Sequence, residues 1–257
     1  MELQGKTALI TGGNSGIGLA TARLMLAQGA RVAITGRDRA KLDEAVAELG
    51  GDVLALQADL NKSEDLLAVA RAVGEAFGTL DIVFANAGIS GPTPLGSTTF
   101  EMFRNIVDTN LTSVFFTVQS VLPLLKEGSA IVLNGSVMRE LAVGGTAAYS
   151  ATKAAITGMA KVFATELALR GIRVNTVIPG ATRTPIWTRG ARAGATLDAT
   201  EAYLAPRIPL GRLSDADEVA NAVVFLASPR ASGITAAEIV VDGGTTGAPA
   251  GSAHYRG

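Results

Sequence analysis

Thr7-Ala8-Leu9-Ile10-Thr11-Gly12-Gly13-Asn14-Ser15-Gly16-Ile17-Gly18 is the stretch on which the architecture turns. Thr7 to Ile10 is a short apolar run, the pattern of a parallel strand buried on both faces. The glycines that follow make a tight turn. Leu19, Ala20, Ala22, Leu24, Met25, Leu26 and Ala27 then read as a helix that stops at Gly29. In such a strand–turn–helix unit, backbone amides can approach a pyrophosphate and the helix N-terminus favours its charge. The spacing is Gly12-x3-Gly16-x-Gly18, not G-x-G-x-x-G, and a tight turn without a ligand is the competing reading. Its place directly after the first strand favours phosphate.

Working outward, strand-like and helix-like runs alternate. Strands are expected near 7–10, 31–35, 53–57, 81–85, 130–134, 173–178 and 237–241. Helices are expected near 15–28, 39–49, 63–77, 100–124, 150–169 and 215–227. This alternation predicts an α/β fold, a single-domain doubly wound parallel sheet with helices on both faces. The domain is expected to span 1–246, with a weakly structured tail at 247–257. Residues 185–214 interrupt the alternation with Pro185, Pro206 and Pro209, which reads as a substrate loop or lid. Ligands in such sheets sit beyond the strand C-terminal ends, where Thr11, Gly36, Ala58, Asn86, Ser136 and Pro179 all fall.

Composition narrows the function. The 257 residues suffice for one large core. A net charge of −1, from 22 basic and 23 acidic residues, gives no electrostatic case for nucleic acid or a membrane surface. No apolar run reaches the about 18–20 residues of a bilayer span, and the N-terminus lacks a signal peptide's apolar stretch. Zero cysteines remove disulfides and thiolate chemistry and fit a cytoplasmic protein. No metal-ligand cluster is visible.

The usual acid–base residue is nearly absent, since His254 near the C-terminus is the one histidine. Tyr149 and Lys153 offer a substitute. Positions four apart share a helix face, so the Lys153 ammonium is expected beside the Tyr149 phenol. A phenol titrates near ~10, and a neighbouring cation lowers that value. A chance Tyr–Lys pair is common, so the pair gains its weight from Ser136, thirteen residues before Tyr149, and from the glycine turn.

On these residues the chain resembles the short-chain dehydrogenase/reductase family. Thr11-Gly12-x3-Gly16-x-Gly18 is similar to its cofactor motif. Asn86-Ala87-Gly88 is similar to its N-A-G motif, with Ala85 where the family often has another Asn. Asn110 matches its helix asparagine, Ser136, Tyr149 and Lys153 its catalytic trio, and Pro179-Gly180 with Thr184 its cofactor-closing segment. Order and spacing hold over about residues 5–245. The resemblance implies a Rossmann fold and an NAD(P)-dependent oxidoreductase that moves a hydride between nicotinamide and a ketone or secondary alcohol. Tyr149 is then the proton donor or acceptor. Lys153 lowers its pKa and binds the nicotinamide ribose, and Ser136 holds the substrate oxygen. Asn110 helps to hold a water linking Lys153 to solvent; a purely local hydrogen bond is the alternative for it. Gly12, Asn14, Ser15, Gly16, Ile17, Gly18, Asp59, Leu60, Asn86, Ala87, Gly88, Pro179, Gly180, Thr182 and Thr184 complete the cofactor set. For Asp59, capping the helix after Asn61 is the competing role. The resemblance also implies a homotetramer with helices 100–124 and 150–169 paired across interfaces.

Cofactor choice rests on the end of the second strand. An acidic residue there would bind the NAD ribose, but Gly36 takes that place and Arg37 follows, suited to a 2′-phosphate. NADP is therefore favoured, with NAD possible through Asp38. Met138, Leu141, Val143, Trp187 and Tyr203 suggest a fairly apolar carbonyl or alcohol substrate, although such a stripe also suits packing. Arg139, Glu140 and Arg183 would instead suit a polar one. A cofactor-binding regulatory protein without turnover is the main competing class, and the intact Ser–Tyr–Lys set counts against it. A 3-oxoacyl-thioester or sugar dehydrogenase of the same family is a further alternative. A nucleotide-sugar epimerase is disfavoured by the short segment after Thr184.

Overall fold

The structure is a computed structural model, and residues 1–188 and 194–249 are described. Residues 189–193 of the expected substrate loop and 250–257 of the expected tail, with His254, lie outside the described residues. The strands are β1 (Thr7–Ile10), β2 (Arg31–Gly36), β3 (Val53–Gln57), β4 (Leu80–Ala85), β5 (Leu125–Asn134), β6 (Arg173–Pro179) and β7 (Glu238–Val241). All pairings are parallel, in the order β3-β2-β1-β4-β5-β6-β7. The order reverses between β1 and β4, which opens the crevice where ligands bind in such sheets.

The helices are α1 (Gly16–Ala27), α2 (Arg39–Leu49), α3 (Ser63–Phe77), α4 (Phe100–Val107), α5 (Ser113–Val121), α6 (Ala147–Leu167), α7 (Leu197–Leu204) and α8 (Ala216–Ala227). They cover both faces of the sheet. One face packs Val32, Ile34, Phe84 and Val132 against Met25 of α1, Leu42 of α2 and Val223 of α8. The other packs Leu9, Val83, Ile131 and Leu133 against Val69 of α3, Val118 of α5 and Ile156 of α6. Side chains alternate across the sheet, so each strand feeds both layers and has to be apolar throughout.

Two expectations are corrected. The helix foreseen at 100–124 is broken: a π-turn at Asp108–Thr112 separates α4 from α5, and a short turn at Leu122–Leu124 ends the run. β5 also starts earlier than expected, with a register irregularity between Leu80 and Ile82 in its pairing with β4. α7 adds a short helix inside the interrupting segment.

The N-terminal end of the sheet is closed by charge. The Asp81 carboxylate accepts from Lys6 Nζ at 2.9 Å and from the Thr7 amide and hydroxyl, both at 3.1 Å. Lys126 Nζ stands 3.3 Å away. Burial pushes this carboxyl up, but Lys6 and Thr7 outweigh it and hold it below its ordinary value.

Candidate active site

At the opposite end of the strands, one cleft of about 1290 Å³ collects the sequence motifs. Gly12, Asn14, Ser15, Gly16, Ile17, Arg37, Asp59, Leu60, Asn86, Ala87, Gly88, Ser136, Met138, Tyr149, Lys153, Pro179, Gly180, Thr182, Thr184 and Trp187 all line it. Gly18 and Asn110 do not face it and act from behind. A Cβ on Gly18 would stand 2.3 Å from the Gly12 carbonyl oxygen, so only glycine lets the turn close onto α1. The first turn of α1 carries no carboxylate, which leaves its N-terminus open to an anion.

Thr11 and Asn86 fasten this turn to β4. The Asn86 and Ala87 amides donate to Thr11 Oγ1 at 2.9 and 3.0 Å, and Asn86 Nδ2 donates to the Thr11 carbonyl at 2.9 Å. These bonds hold the loop that carries Ala87 and Gly88 along the cleft floor.

The centre is built on α6. Lys153 is 4 % exposed, and its Nζ lies 5.7 Å from the centroid of the Tyr149 ring. The two side chains share the helix face that the spacing predicts. Nζ donates to the Asn134 carbonyl at 2.7 Å. Burial lowers the Lys153 pKa from 10.5 to about 8. Ser136, buried at the end of β5, caps a short turn by accepting from the Met138 amide at 3.2 Å.

Asn110 sits in the π-turn, and the wider turn aims it inward. Its Oδ1 accepts from the Ile89 amide and its Nδ2 donates to the Ile89 carbonyl, both at 2.8 Å, with Thr152 Oγ1 at 3.4 Å. The local-bond reading of Asn110 is thereby corrected: its partners lie on the loop after β4 and on α6. A Cβ on Gly88 would stand 3.2 Å from Asn110 Oδ1 and 3.8 Å from Lys153 Nζ, so these groups meet around one glycine.

At the far end of the cleft, Gly36 packs on Asn14, and a Cβ there would come within 2.8 Å of the Asn14 side chain. An acidic side chain at this position would require the Asn14 side chain to move aside. Asp38 is engaged instead as the cap of α2, accepting from the Lys41 amide at 3.2 Å. Arg37 has no ion pair among the described residues. Asp59 accepts from the Asn61 amide at 3.2 Å, whereas Lys62 occupies the N-cap position of α3, so the helix-capping role is corrected.

On the substrate side, Met138, Leu141, Val143, Trp187 and Tyr203 line the cleft. Trp187 Nε1 donates to the Thr182 carbonyl at 2.8 Å. Arg139, Glu140 and Arg183 do not line it. Arg139 pairs with Glu140 and with Glu238 of β7, and Arg183 pairs with Glu201 of α7 and with Asp215. Sequence reasoning passed over Asn134, which receives the Lys153 hydrogen bond. A polar residue ending the apolar run Ile131-Val132-Leu133 was the available signal. Among the described residues, no cluster suited to a metal ion is present and no helix is long and apolar enough to cross a membrane.

These parts define a dinucleotide-dependent oxidoreductase site, and the glycine turn, open helix end and large cleft fit NAD(P). Comparisons agree. The family described as enoyl-(acyl carrier protein) reductase matches residues 12–246. An oxidoreductase (asL5) of Sarocladium schorii is 40% identical over 245 residues, covering 95% of this chain and 96% of that protein. A short-chain dehydrogenase of Burkholderia cenocepacia, solved in complex with NADP, superposes with a TM-score of 0.86 at 35% identity, covering 95% of this chain and 99% of that one. A 3-ketoacyl-(acyl-carrier-protein) reductase of Brucella melitensis, complexed with NADH, gives 0.87 at 34% identity, with 95% and 99% covered. The chain belongs to the short-chain dehydrogenase/reductase family. It is an oxidoreductase acting on CH–OH groups and their carbonyl counterparts.

Proposed function

We propose that this enzyme reduces a fairly apolar ketone with NADPH, or oxidises the matching alcohol, using Ser136, Tyr149, Lys153 and Asn110. The observation that carries this reading is the buried Lys153 beside Tyr149, in the cleft that the glycine turn floors. When bound, the nicotinamide supplies or accepts the hydride. Gly12, Asn14, Ser15, Gly16 and Ile17 would hold its pyrophosphate, with Gly18 letting the turn close from behind, and Asp59 and Leu60 would hold its adenine. Pro179, Gly180, Thr182 and Thr184 would close over the nicotinamide end, opposite the backbone of Asn86, Ala87 and Gly88. Tyr149 gives its proton to the oxygen that gains charge in reduction and takes one back in oxidation. The Lys153 cation favours the phenolate that remains. Ser136 donates a hydrogen bond to the same substrate oxygen. Asn110, by holding the loop around Ile89, keeps a water path to Lys153 in place.

NADP over NAD is supported by the lack of an acidic residue at Gly36, by Asp38 being engaged as a cap and by Arg37, which has no ion pair among the described residues and whose guanidinium suits a 2′-phosphate. An apolar substrate is supported by Met138, Leu141, Val143 and Trp187, and by the ion pairs that occupy Arg139 and Arg183 away from the cleft. A homotetramer is supported by the exposed Phe103, Phe115, Phe116 and Val162 on α4 to α6. Zero cysteines suit the cytoplasm. We take residues 1–246 as one domain, because both core layers and the cleft lie within it.

The test is a carbonyl panel followed at 340 nm with NADPH and NADH, repeated with Arg37→Ala. NADPH is expected to be preferred, and the variant to lose about tenfold of that preference, the worth of one charge-assisted contact. Equal use of the two cofactors by the native enzyme, or activity confined to sugars and charged carbonyls, overturns the corresponding part.

A further inference from the structure

Lys153 takes its hydrogen-bond acceptor from a residue with an unusual second attachment. The Asn134 carbonyl receives Lys153 Nζ at 2.7 Å, while the Asn134 side chain donates through Nδ2 to Asn86 Oδ1 at 2.9 Å. Asn86 in turn donates to the Thr11 carbonyl at 2.9 Å and to the Gly12 carbonyl at 3.3 Å. The chain Thr11/Gly12–Asn86–Asn134–Lys153 is therefore continuous, from the glycine turn to the acid–base pair. Asn134 Oδ1 is buried without a hydrogen-bond partner among the described residues, so Asn86 alone orients this amide by hydrogen bonding. The bond between the two side chains crosses from β4 to β5, at the point where both strands end.

We infer that Asn134 is a positioning residue: held by Asn86, it sets the carbonyl that anchors the Lys153 ammonium, and so couples the dinucleotide turn to the proton-transfer pair. The inference rests on the role given above to Lys153. Its chemistry is simple. A carbonyl accepting from the ammonium favours the charged form, and a carbonyl free to drift favours it less. The groups around Nζ are the Tyr149 phenol on α6, the Asn134 carbonyl on β5, Gly88 on the loop after β4 and Asn110 on the π-turn. Of these, Tyr149 alone titrates, and burial is the one cause that lowers the Lys153 pKa. A change at Asn134 thus reaches Lys153 without a carboxylate to compensate.

Asn134→Leu keeps the branched heavy-atom shape and removes the amide. It is expected to lower kcat about tenfold, the scale of a small misplacement of a reacting group. It is also expected to move the alkaline limb of kcat/KM to lower pH than in the native enzyme. Asn134→Asp places an anion beside the same ammonium and is expected to move that limb to higher pH. Opposite movements support the inference. A lower Tm with kcat and the limb unchanged in both variants overturns it, because Asn134 would then be packing only. A further measurement needs no turnover. The ¹⁵N side-chain amide of Asn134, followed from pH 6 to 10 without cofactor, is expected to shift with a midpoint near 8, and to lose that transition in Lys153→Met. A flat amide shift overturns the inference. If the amide titrates but no carbonyl is reduced, the coupling stands and the reductase reading fails.

Discussion

The two ends of the sheet each bury a charge and treat it in opposite ways. At the N-terminal ends of the strands, Asp81 is 5 % exposed and ringed by Lys6, Lys126 and Thr7. At the C-terminal ends, Lys153 is equally buried and receives one neutral carbonyl. The first arrangement compensates the charge and stabilises the fold. The second leaves the charge under-compensated and keeps its proton loosely held. A buried group with its partner missing costs stability, and that cost is tolerated where chemistry needs a movable proton.

The comparison can be broken most severely at Tyr149. Tyr149→Phe keeps the ring and removes the proton, and kcat is expected to fall by at least about 100-fold, with the melting temperature near native. Steady-state kinetics beside a thermal melt checks both parts; near-normal turnover removes Tyr149 from its role. Lys153→Met sharpens the contrast. Turnover is expected to drop by a similar factor while the cofactor-free protein becomes more stable at neutral pH, because an uncompensated buried cation is gone. The sign follows from a folded pKa lowered from 10.5 to about 8. Between those values the unfolded chain binds the extra proton, so native stability rises with pH across that window, by about 3 kcal/mol in total. The Met variant lacks this rise. Urea titrations at pH 7.5 and 10.5 separate the two.

The smallest effect belongs to the other end. Asp81→Asn leaves the Thr7 groups poorly matched and is expected to cost about 1–3 kcal/mol without changing kcat. Because its carboxyl is held below 3.8, the native contribution is present above that pH and fades as pH falls further. A variant whose acid unfolding matched the native protein would show that Asp81 contributes nothing.

Much of this was readable in advance, for physical reasons. Buried parallel strands must be apolar on both faces, so Thr7–Ile10 and Ala130–Leu133 announce themselves. That Tyr149 and Lys153 share a helix face follows from helical period, and Ser136 with the glycine turn gave the pair its weight. The π-turn at Asp108–Thr112 was not readable, since no Gly or Pro marks it. Its inward residue, Asn110, meets partners distant in sequence, Ile89 and Thr152. Nor could charge alone place Arg139 and Arg183. Both looked available to a ligand until distant carboxylates, Glu238 and Glu201, were brought against them. Asn134 was overlooked because its carbonyl, not its side chain, meets Lys153, so a polar residue closing an apolar run was the one hint in residue type.

The pairing of Arg183 with Glu201 has a mechanical consequence. Arg183 lies between Thr182 and Thr184, and Glu201 lies on α7 and also accepts from the Leu213 amide at 3.3 Å. Any outward swing of α7 must either rupture that ionic tie or drag the threonine segment along. The two segments are thereby mechanically linked through one ionic tie.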